Sequence, residues 1–277
     1  MLLSIPGLAL VAAFLGIPIV QAFYYSFTEW DGITKTWIGP SAYVTQFKDP
    51  TFWRVLENNA LLLLAIPVAI VIPMAIASLL NERVFGWRFF RSVYFLPTAI
   101  SWVVIGMVAL RFFAAEGTLN QLLADFGLAS IKTDMLSGER TALIAVAITF
   151  IWSMLGTNTI IFLTGMATLD PSLNEAARVD GANAWQIFGR VTLPQLKRFI
   201  QFSFIMTVIS AFTALFSLIF VMTGGGPGYG TTTLEFFVYQ TAFGHAMFGT
   251  GAMLGIILFV IMAVIGLAQI RLLRSDD

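Results

Sequence analysis

Cysteine is missing from the chain. Its absence excludes disulfides, thiolate metal sites and a thiol nucleophile, and leaves the redox compartment unmarked. Histidine is almost as scarce. His245 is the single copy, and one imidazole without a carboxylate or thiol partner makes neither a metal site nor a catalytic triad. A structural or interfacial place is expected for it. Charged residues make up only 11% of the chain and balance to a formal net charge of +0. Without a long basic run there is no electrostatic footprint for nucleic acid. A Walker-type phosphate loop is also lacking: the glycine cluster Gly224–Gly230 is not followed by Lys-Ser/Thr. The spans described below contain no cluster of His, Asp or Glu, which disfavours a membrane-embedded enzyme.

What fills the chain instead is apolar: 58% of its 277 residues are hydrophobic, with a mean hydropathy of +0.87. A water-soluble chain of this size needs far less apolar surface, so the excess has to meet a bilayer. A helix needs about 20 apolar residues to cross the hydrocarbon. Six charge-poor stretches satisfy this: Leu2–Phe27, Glu57 to Glu82, Arg91 to about Arg111, Arg140 to Asp170, Arg198 to Gly224, and about Ala246 to Ile270. They are continuously apolar without period-two alternation, which predicts helices rather than a barrel. Pro18, Pro67, Pro73 and Pro97 fall in or near them and imply a bundle whose neighbours resatisfy freed carbonyls. The expected fold is therefore all-α, a polytopic bundle of six transmembrane helices forming a single membrane domain over residues 1–277.

Basic residues orient the bundle. With six spans, nine (Arg83, Arg88, Arg91, Arg178, Arg190, Lys197, Arg198, Arg271, Arg274) share the side of both termini, against Lys35, Lys48, Arg54, Lys132 and Arg140 on the other. The positive-inside rule places both termini in the cytoplasm. Arg111, near the outer edge, is expected to snorkel to water. The first stretch lacks a basic n-region and exceeds the roughly 7–15 residues of a signal h-region, so it is expected to be retained.

The loop at about 169–198 carries the most information. Asp170 reads as an N-cap with Pro171 at the first helical position, and Ser172 with Glu175 also fits a capping box. Gly181 can end that helix. A second short helix is predicted from Trp185 to Val191, before Leu193-Pro194 turns the chain into span five. The result is a helix–turn–helix on the cytoplasmic face.

Glu175-Ala176-Ala177, three residues, Gly181, nine residues, then Val191-Thr192-Leu193-Pro194 resembles the EAA motif of ATP-binding-cassette importer permeases. Val191 stands where that family often has Ile. The resemblance extends to the carbohydrate branch and its maltose-type first permease subunit. It runs through Ser26-Phe27-Thr28, Phe52-Trp53, Asn58-Asn59, Phe90-Arg91, Phe95-Leu96-Pro97, Gly117 with Asn120, Thr223-Gly224-Gly225-Gly226-Pro227, Thr231, Tyr239 and Ala242-Phe243.

The resemblance implies a type I importer transmembrane domain in a prokaryotic cytoplasmic membrane. It also implies a second homologous permease, two ATPase subunits that hold ATP and Mg, an extracytoplasmic solute-binding lipoprotein and a sugar substrate. This chain would bind no cofactor. The motif would form a coupling helix gripped by an ATPase through Glu175, Ala176, Ala177, Asp180, Gly181, Leu193 and Pro194. Trp152, Ser153, Thr157, Asn158, Thr207, Ser210 and Thr213 are the polar or aromatic candidates for a sugar pathway. For each Ser or Thr among them, interhelical hydrogen bonding is the competing role. Span five places Phe212 and Leu215 where the maltose-type relative carries asparagines. Gly225, Gly226 and Pro227 read locally as a flexible turn, and by resemblance as a contact for the binding protein. The same scaffold importing a glycerol phosphodiester is the nearby alternative. A secondary transporter is disfavoured because the spans are nearly free of charge.

Overall fold

The apolar stretches become helices wherever they are long enough to satisfy their own backbone. A computed structural model describes residues 5–81 and 86–274; Arg83, used above for orientation, lies outside them. Among the described residues, five helices are long and apolar enough to cross a membrane: Ile5–Tyr25 (α1), Pro50–Asn81, Trp102–Asp125, Glu139–Ala167 and Phe248–Arg271. Lys197–Thr213 and Leu215–Met222 form a sixth candidate, bent by 40° at their junction.

Between α1 and the next span lie a short antiparallel hairpin, β1 (Thr28–Trp30) with β2 (Lys35–Trp37), and a helix, α2 (Ser41–Lys48). The hairpin is absent from the sequence expectation because three-residue strands are too short to show periodicity. Its turn is set by Asp31, whose Oδ1 accepts from the backbone N–H groups of Ile33 (2.8 Å) and Thr34 (2.6 Å). The second span, α3 (Pro50–Asn81), starts earlier than the charge pattern suggests, with Arg54 and Glu57 paired along it at 3.1 Å.

Prolines mark the interruptions. Pro18 opens the last segment of α1 after a wide turn at Ala12–Gly16. Pro67 is the second residue after a break at Leu64-Ala65 in α3, while Pro73 sits inside the helix. The third stretch departs most from expectation. It is not one helix from Arg91 but α4 (Trp87–Phe95), a tight turn Leu96–Ala99 containing Pro97, and α5 (Trp102–Phe113), capped by Ser101. Pro97 lacks an N–H and disfavours helix at the residue before it, so the helix breaks there. A further helix, α6 (Thr118–Asp125), follows. Its Asn120 ties it to the next loop by donating to the carbonyls of Ala115 (2.9 Å) and Thr133 (2.8 Å).

The broken stretch packs on the fourth span, α7 (Glu139–Ala167), at Gly156. A Cβ there would lie 2.6 Å from the Tyr94 carbonyl oxygen and collide with Thr98. Only glycine permits that approach. Two compact units result. One runs from Ala60 to Thr231 and contains the 170–198 loop. The other comprises the chain up to Asn59 and from Thr232 onward, with a core of Phe52, Val55, Leu234, Phe237, Met253 and Leu254.

Candidate functional site

Two short helices leave the end of α7 and return the chain to span five. The first is α8 (Pro171–Val179). Asp170 is its N-cap, accepting from the Ser172 backbone N–H at 2.9 Å, and that bond holds its carboxyl below the ordinary aspartate range. Of the two caps read from sequence, Asp170 is the one used. Glu175 is therefore the fifth helical residue, past the N3 position that a capping-box partner occupies. Its carboxylate is exposed.

The C-terminus of α8 is a Schellman motif. The Ala182 N–H donates to the Ala177 carbonyl (3.0 Å) and the Gly181 N–H to that of Arg178 (3.1 Å). Gly181 has φ +81° with open space where a Cβ would go, so conformation rather than crowding selects glycine. Two residues on, Asn183 and Gln186 cap each other's backbone. The Gln186 N–H donates to Asn183 Oδ1 (3.0 Å) and the Asn183 N–H to Gln186 Oε1 (2.8 Å). This box starts α9 (Ala184–Ile187), which widens into a π-turn over Phe188–Thr192 and a last turn at Leu193–Gln195. The expected second helix is present, begins one residue before Trp185, and runs past Val191 to Gln195.

The two helices flank a polar cavity of about 650 Å³ whose walls include Ser78, Asn81, Asn174, Glu175, Arg178 and Thr192. Two apolar residues flank the turn outside it: Val179 is 88% and Trp185 85% exposed. Sequence reading named neither as functional. Their signal was a large apolar residue on either side of Gly181, within a few residues of the turn.

The membrane-embedded candidates divide sharply. Asn158 is buried and fully engaged. Its Nδ2 donates to the Ala69 carbonyl (2.7 Å) and to Thr207 Oγ1 (3.1 Å), and its Oδ1 accepts from Ser203 Oγ (3.0 Å). Thr207 in turn donates to the Ser203 carbonyl at 2.7 Å. This network joins α3, α7 and α10 (Lys197–Thr213). Ser153 is buried too, donating to the Phe150 carbonyl at 2.7 Å. Phe212 and Leu215 are core residues. Trp152, Thr157, Ser210 and Thr213 are half-buried or exposed. Trp152 borders a cavity of about 380 Å³ lined by Val108, Ala109, Phe112, Phe113, Ile148 and Thr149. Thr149 spends its hydroxyl on the Ala145 carbonyl (2.8 Å), which leaves that cavity apolar.

Gly225, Gly226 and Pro227 lie in a hydrogen-bonded loop. Thr231 Oγ1 donates to the Gly226 carbonyl (2.9 Å), the Thr231 N–H to that of Gly225 (3.2 Å), and the Gly230 N–H to that of Pro227 (2.9 Å). His245 is exposed, and among the described residues no group of three His, Asp or Glu could hold a metal. Arg111 is exposed in the last turn of α5.

Comparison with known proteins fits this arrangement. The model of the family described as binding-protein-dependent transport system inner membrane component matches residues 54–274. The multiple sugar-binding transport system permease protein MsmF of Streptococcus mutans is 33% identical, covering 98% of this chain and 93% of the relative. The probable starch degradation products transport system permease protein AmyD of Thermoanaerobacterium thermosulfurigenes is 30% identical, over 94% of this chain and 89% of the relative. A solved bacterial ABC transporter involved in the import of the acidic polysaccharide alginate contains a chain of the same fold. Its TM-score is 0.83 at 23% identity, covering 98% of this chain and 93% of that one. The fold is that of the type I ABC importer membrane domain, and the chain belongs to the family of binding-protein-dependent transport system inner membrane components, the permeases of ATP-binding-cassette importers.

Proposed function

We propose that this permease forms, with a second homologous permease, the pathway for a sugar, and that the 170–198 loop is the lever by which a partner ATPase drives it between inward- and outward-open states. The observation that carries this reading is the construction of the lever. A Schellman exit at Gly181 and a reciprocal cap at Asn183/Gln186 join two helices through a fully hydrogen-bonded turn. Glu175, Val179 and Trp185 are left exposed on them. A short rigid element transmits force if its contacts differ between two states. Covering one tryptophan removes on the order of 150–250 Å² from water, worth a few kcal/mol at about 25 cal/mol per Å². Trp185 therefore supplies anchoring and Glu175 a charge-assisted acceptor for the ATPase. Ala176 and Ala177 permit close approach, Asp180 and Gly181 make the exit, and Leu193-Pro194 passes the movement to span five.

The partners follow from that reading: a second permease, two ATPase subunits carrying ATP and Mg, and an extracytoplasmic solute-binding protein. A sugar is favoured over a glycerol phosphodiester because the walls of the Trp152 cavity are apolar and uncharged. Such walls suit the apolar face of a pyranose ring, with Thr157 and Ser210 as the candidates to meet hydroxyls; the Thr213 hydroxyl already donates to the Ile209 carbonyl at 3.0 Å. Ser153 and Asn158 are assigned to holding the bundle. The loop at Gly225–Pro227 is the candidate contact for the binding protein.

The test is Gly181→Val beside Trp185→Ala, in the importer purified with its subunits and reconstituted. Forcing a β-branched residue to φ +81° costs about 1–2 kcal/mol locally. Both variants are expected to insert normally and to lose sugar uptake, Gly181→Val with ATP hydrolysis retained and Trp185→Ala with weakened ATPase retention. Wild-type uptake by both would overturn the lever.

A further inference from the structure

The segment between the first two spans carries large apolar side chains that its own unit does not cover. Trp37 is 62%, Trp53 56% and Phe47 46% exposed, and Val44 shares the open face of α2 with Phe47 three residues on. Their depth is fixed by contacts with the ends of two spans. The Trp37 ring lies 5.7 Å from Tyr24, in the last turn of α1. Tyr43, on α2, donates its hydroxyl to Ser26 at 2.8 Å, one residue past α1. Trp30 meets Phe248, the first residue of the last span, at 5.4 Å. Trp53 is held by its indole N–H to the Phe47 carbonyl (2.9 Å) and by an edge contact with Phe52 at 5.5 Å, and more than half of the residue remains exposed.

These residues sit beside the C-terminal end of α1 and the first residue of the last span. Each interfacial zone there is only about 5–7 Å deep. Tryptophan and tyrosine collect in that zone because one end of each ring is apolar and the other polar. The hairpin has matching sides. Glu29 and Thr36 pair on one face, while Thr28, Trp30, Lys35 and Trp37 occupy the other. The Lys35 ammonium lies 5.1 Å from the Tyr24 ring centroid and 5.4 Å from that of Tyr25, within reach of a phosphate. Lys48 is exposed beside Phe47. The exposed apolar surface also continues without a step into the bare side of α1, through Tyr24 and Phe23.

We infer that residues 28–53 form an interfacial collar that lies in the headgroup layer of one leaflet, with Trp37, Val44, Phe47 and Trp53 immersed at the acyl boundary and Lys35 and Lys48 facing lipid phosphates. By counting spans, that leaflet is the one opposite the 170–198 loop.

The absence of native cysteine makes the test direct. Full-length chain with Val44→Cys, Phe47→Cys or Thr36→Cys is labelled with a nitroxide and placed in phospholipid nanodiscs with the subunits that co-purify. Collision with oxygen is then compared with collision with a water-soluble nickel chelate. The collar requires oxygen to dominate at 44 and 47 and nickel to dominate at 36. Equal nickel access at all three sites would place the segment in water. Exclusion of both reagents at 44 and 47 would mean that another protein covers them. Either result overturns the inference. An independent reading needs no cysteine. Brominated acyl chains should quench wild-type tryptophan fluorescence more than that of Trp37→Phe, and an unchanged quenchable fraction would count against the collar.

Discussion

Among single residues, Asn158 has the most to lose. Its amide closes three side-chain or backbone bonds between helices, at 2.7, 3.0 and 3.1 Å. Interhelical hydrogen bonds in bilayers average ~0.6 kcal/mol each, and stranding a buried partner adds ~1–3 kcal/mol. Asn158→Leu leaves Ser203, Thr207 and the Ala69 carbonyl without it, so a loss of about 2–4 kcal/mol is expected. Denaturant or thermal unfolding in detergent measures this, and a variant as stable as the parent would return Asn158 to the pathway candidates. From sequence, Asn158 was only one polar residue in an apolar helix. Whether it faced sugar or neighbour depended on Ala69 and Ser203, 89 and 45 positions away.

Glu235 was missed for the same reason. It opens the helix Leu234–Tyr239 and accepts from Asn59 Nδ2 at 3.2 Å, while Asn59 Oδ1 accepts the Leu234 N–H at 2.7 Å. Burial pushes its carboxyl above the ordinary glutamate range, with the bonds it accepts acting in the opposite direction. Between the ordinary value and the raised one, the folded protein holds this proton while the unfolded chain has released it. Its contribution is thus fully present below the ordinary value and is lost as pH rises through the raised one. Glu235→Gln should flatten that decline and raise the unfolding midpoint at neutral pH relative to mildly acid conditions. Parallel pH profiles for the two proteins would refute the assignment.

Elements were legible where a terminus carries its own chemistry. Asp170, Pro171 and Gly181 announce α8 because an N-cap, a first-turn proline and a left-handed exit act within three residues of where they stand. The breaks in the third and fifth spans were less legible. Pro97 reads from sequence as a proline tolerated within one span, and the close seat of Tyr94 and Thr98 on Gly156 depends on a helix about 60 residues away. The 40° bend after Thr213 has no proline or glycine to mark it. The Asn183–Gln186 box gives the element-scale prediction. Asn183→Ala removes a cap worth about 1 kcal/mol and loosens α9, whereas Asn183→Asp preserves the acceptor. Hydrogen exchange at Gln186 and Ile187 should quicken in the alanine variant alone, and uptake should fall with it. Equal exchange in both would show that the box does not hold the second helix.

At the scale of the whole molecule, everything turns on whether the bent pair crosses. Its 17 and 8 residues, at about 1.5 Å rise each, project to roughly 35 Å after the bend, against about 30 Å of hydrocarbon. Length therefore permits a crossing, and the C-terminal Arg271 and Arg274 join the other seven basic residues on the side of the 170–198 loop only if the pair crosses. A re-entrant pair would instead leave Ser172 and Tyr229 on the same side. The two arrangements separate cleanly in a chain without cysteine. Ser172 and Tyr229, the positions changed in Ser172→Cys and Tyr229→Cys, are both exposed, in the first turn of α8 and in the glycine loop. In intact cells an impermeant maleimide should modify the cysteine at 229 and spare the one at 172, and inverted vesicles should exchange the pattern. Labelling of both from one side would remove the sixth span. The loop after it would then share a compartment with the 170–198 helices, and neither could serve an ATPase and a binding protein on opposite faces of the membrane.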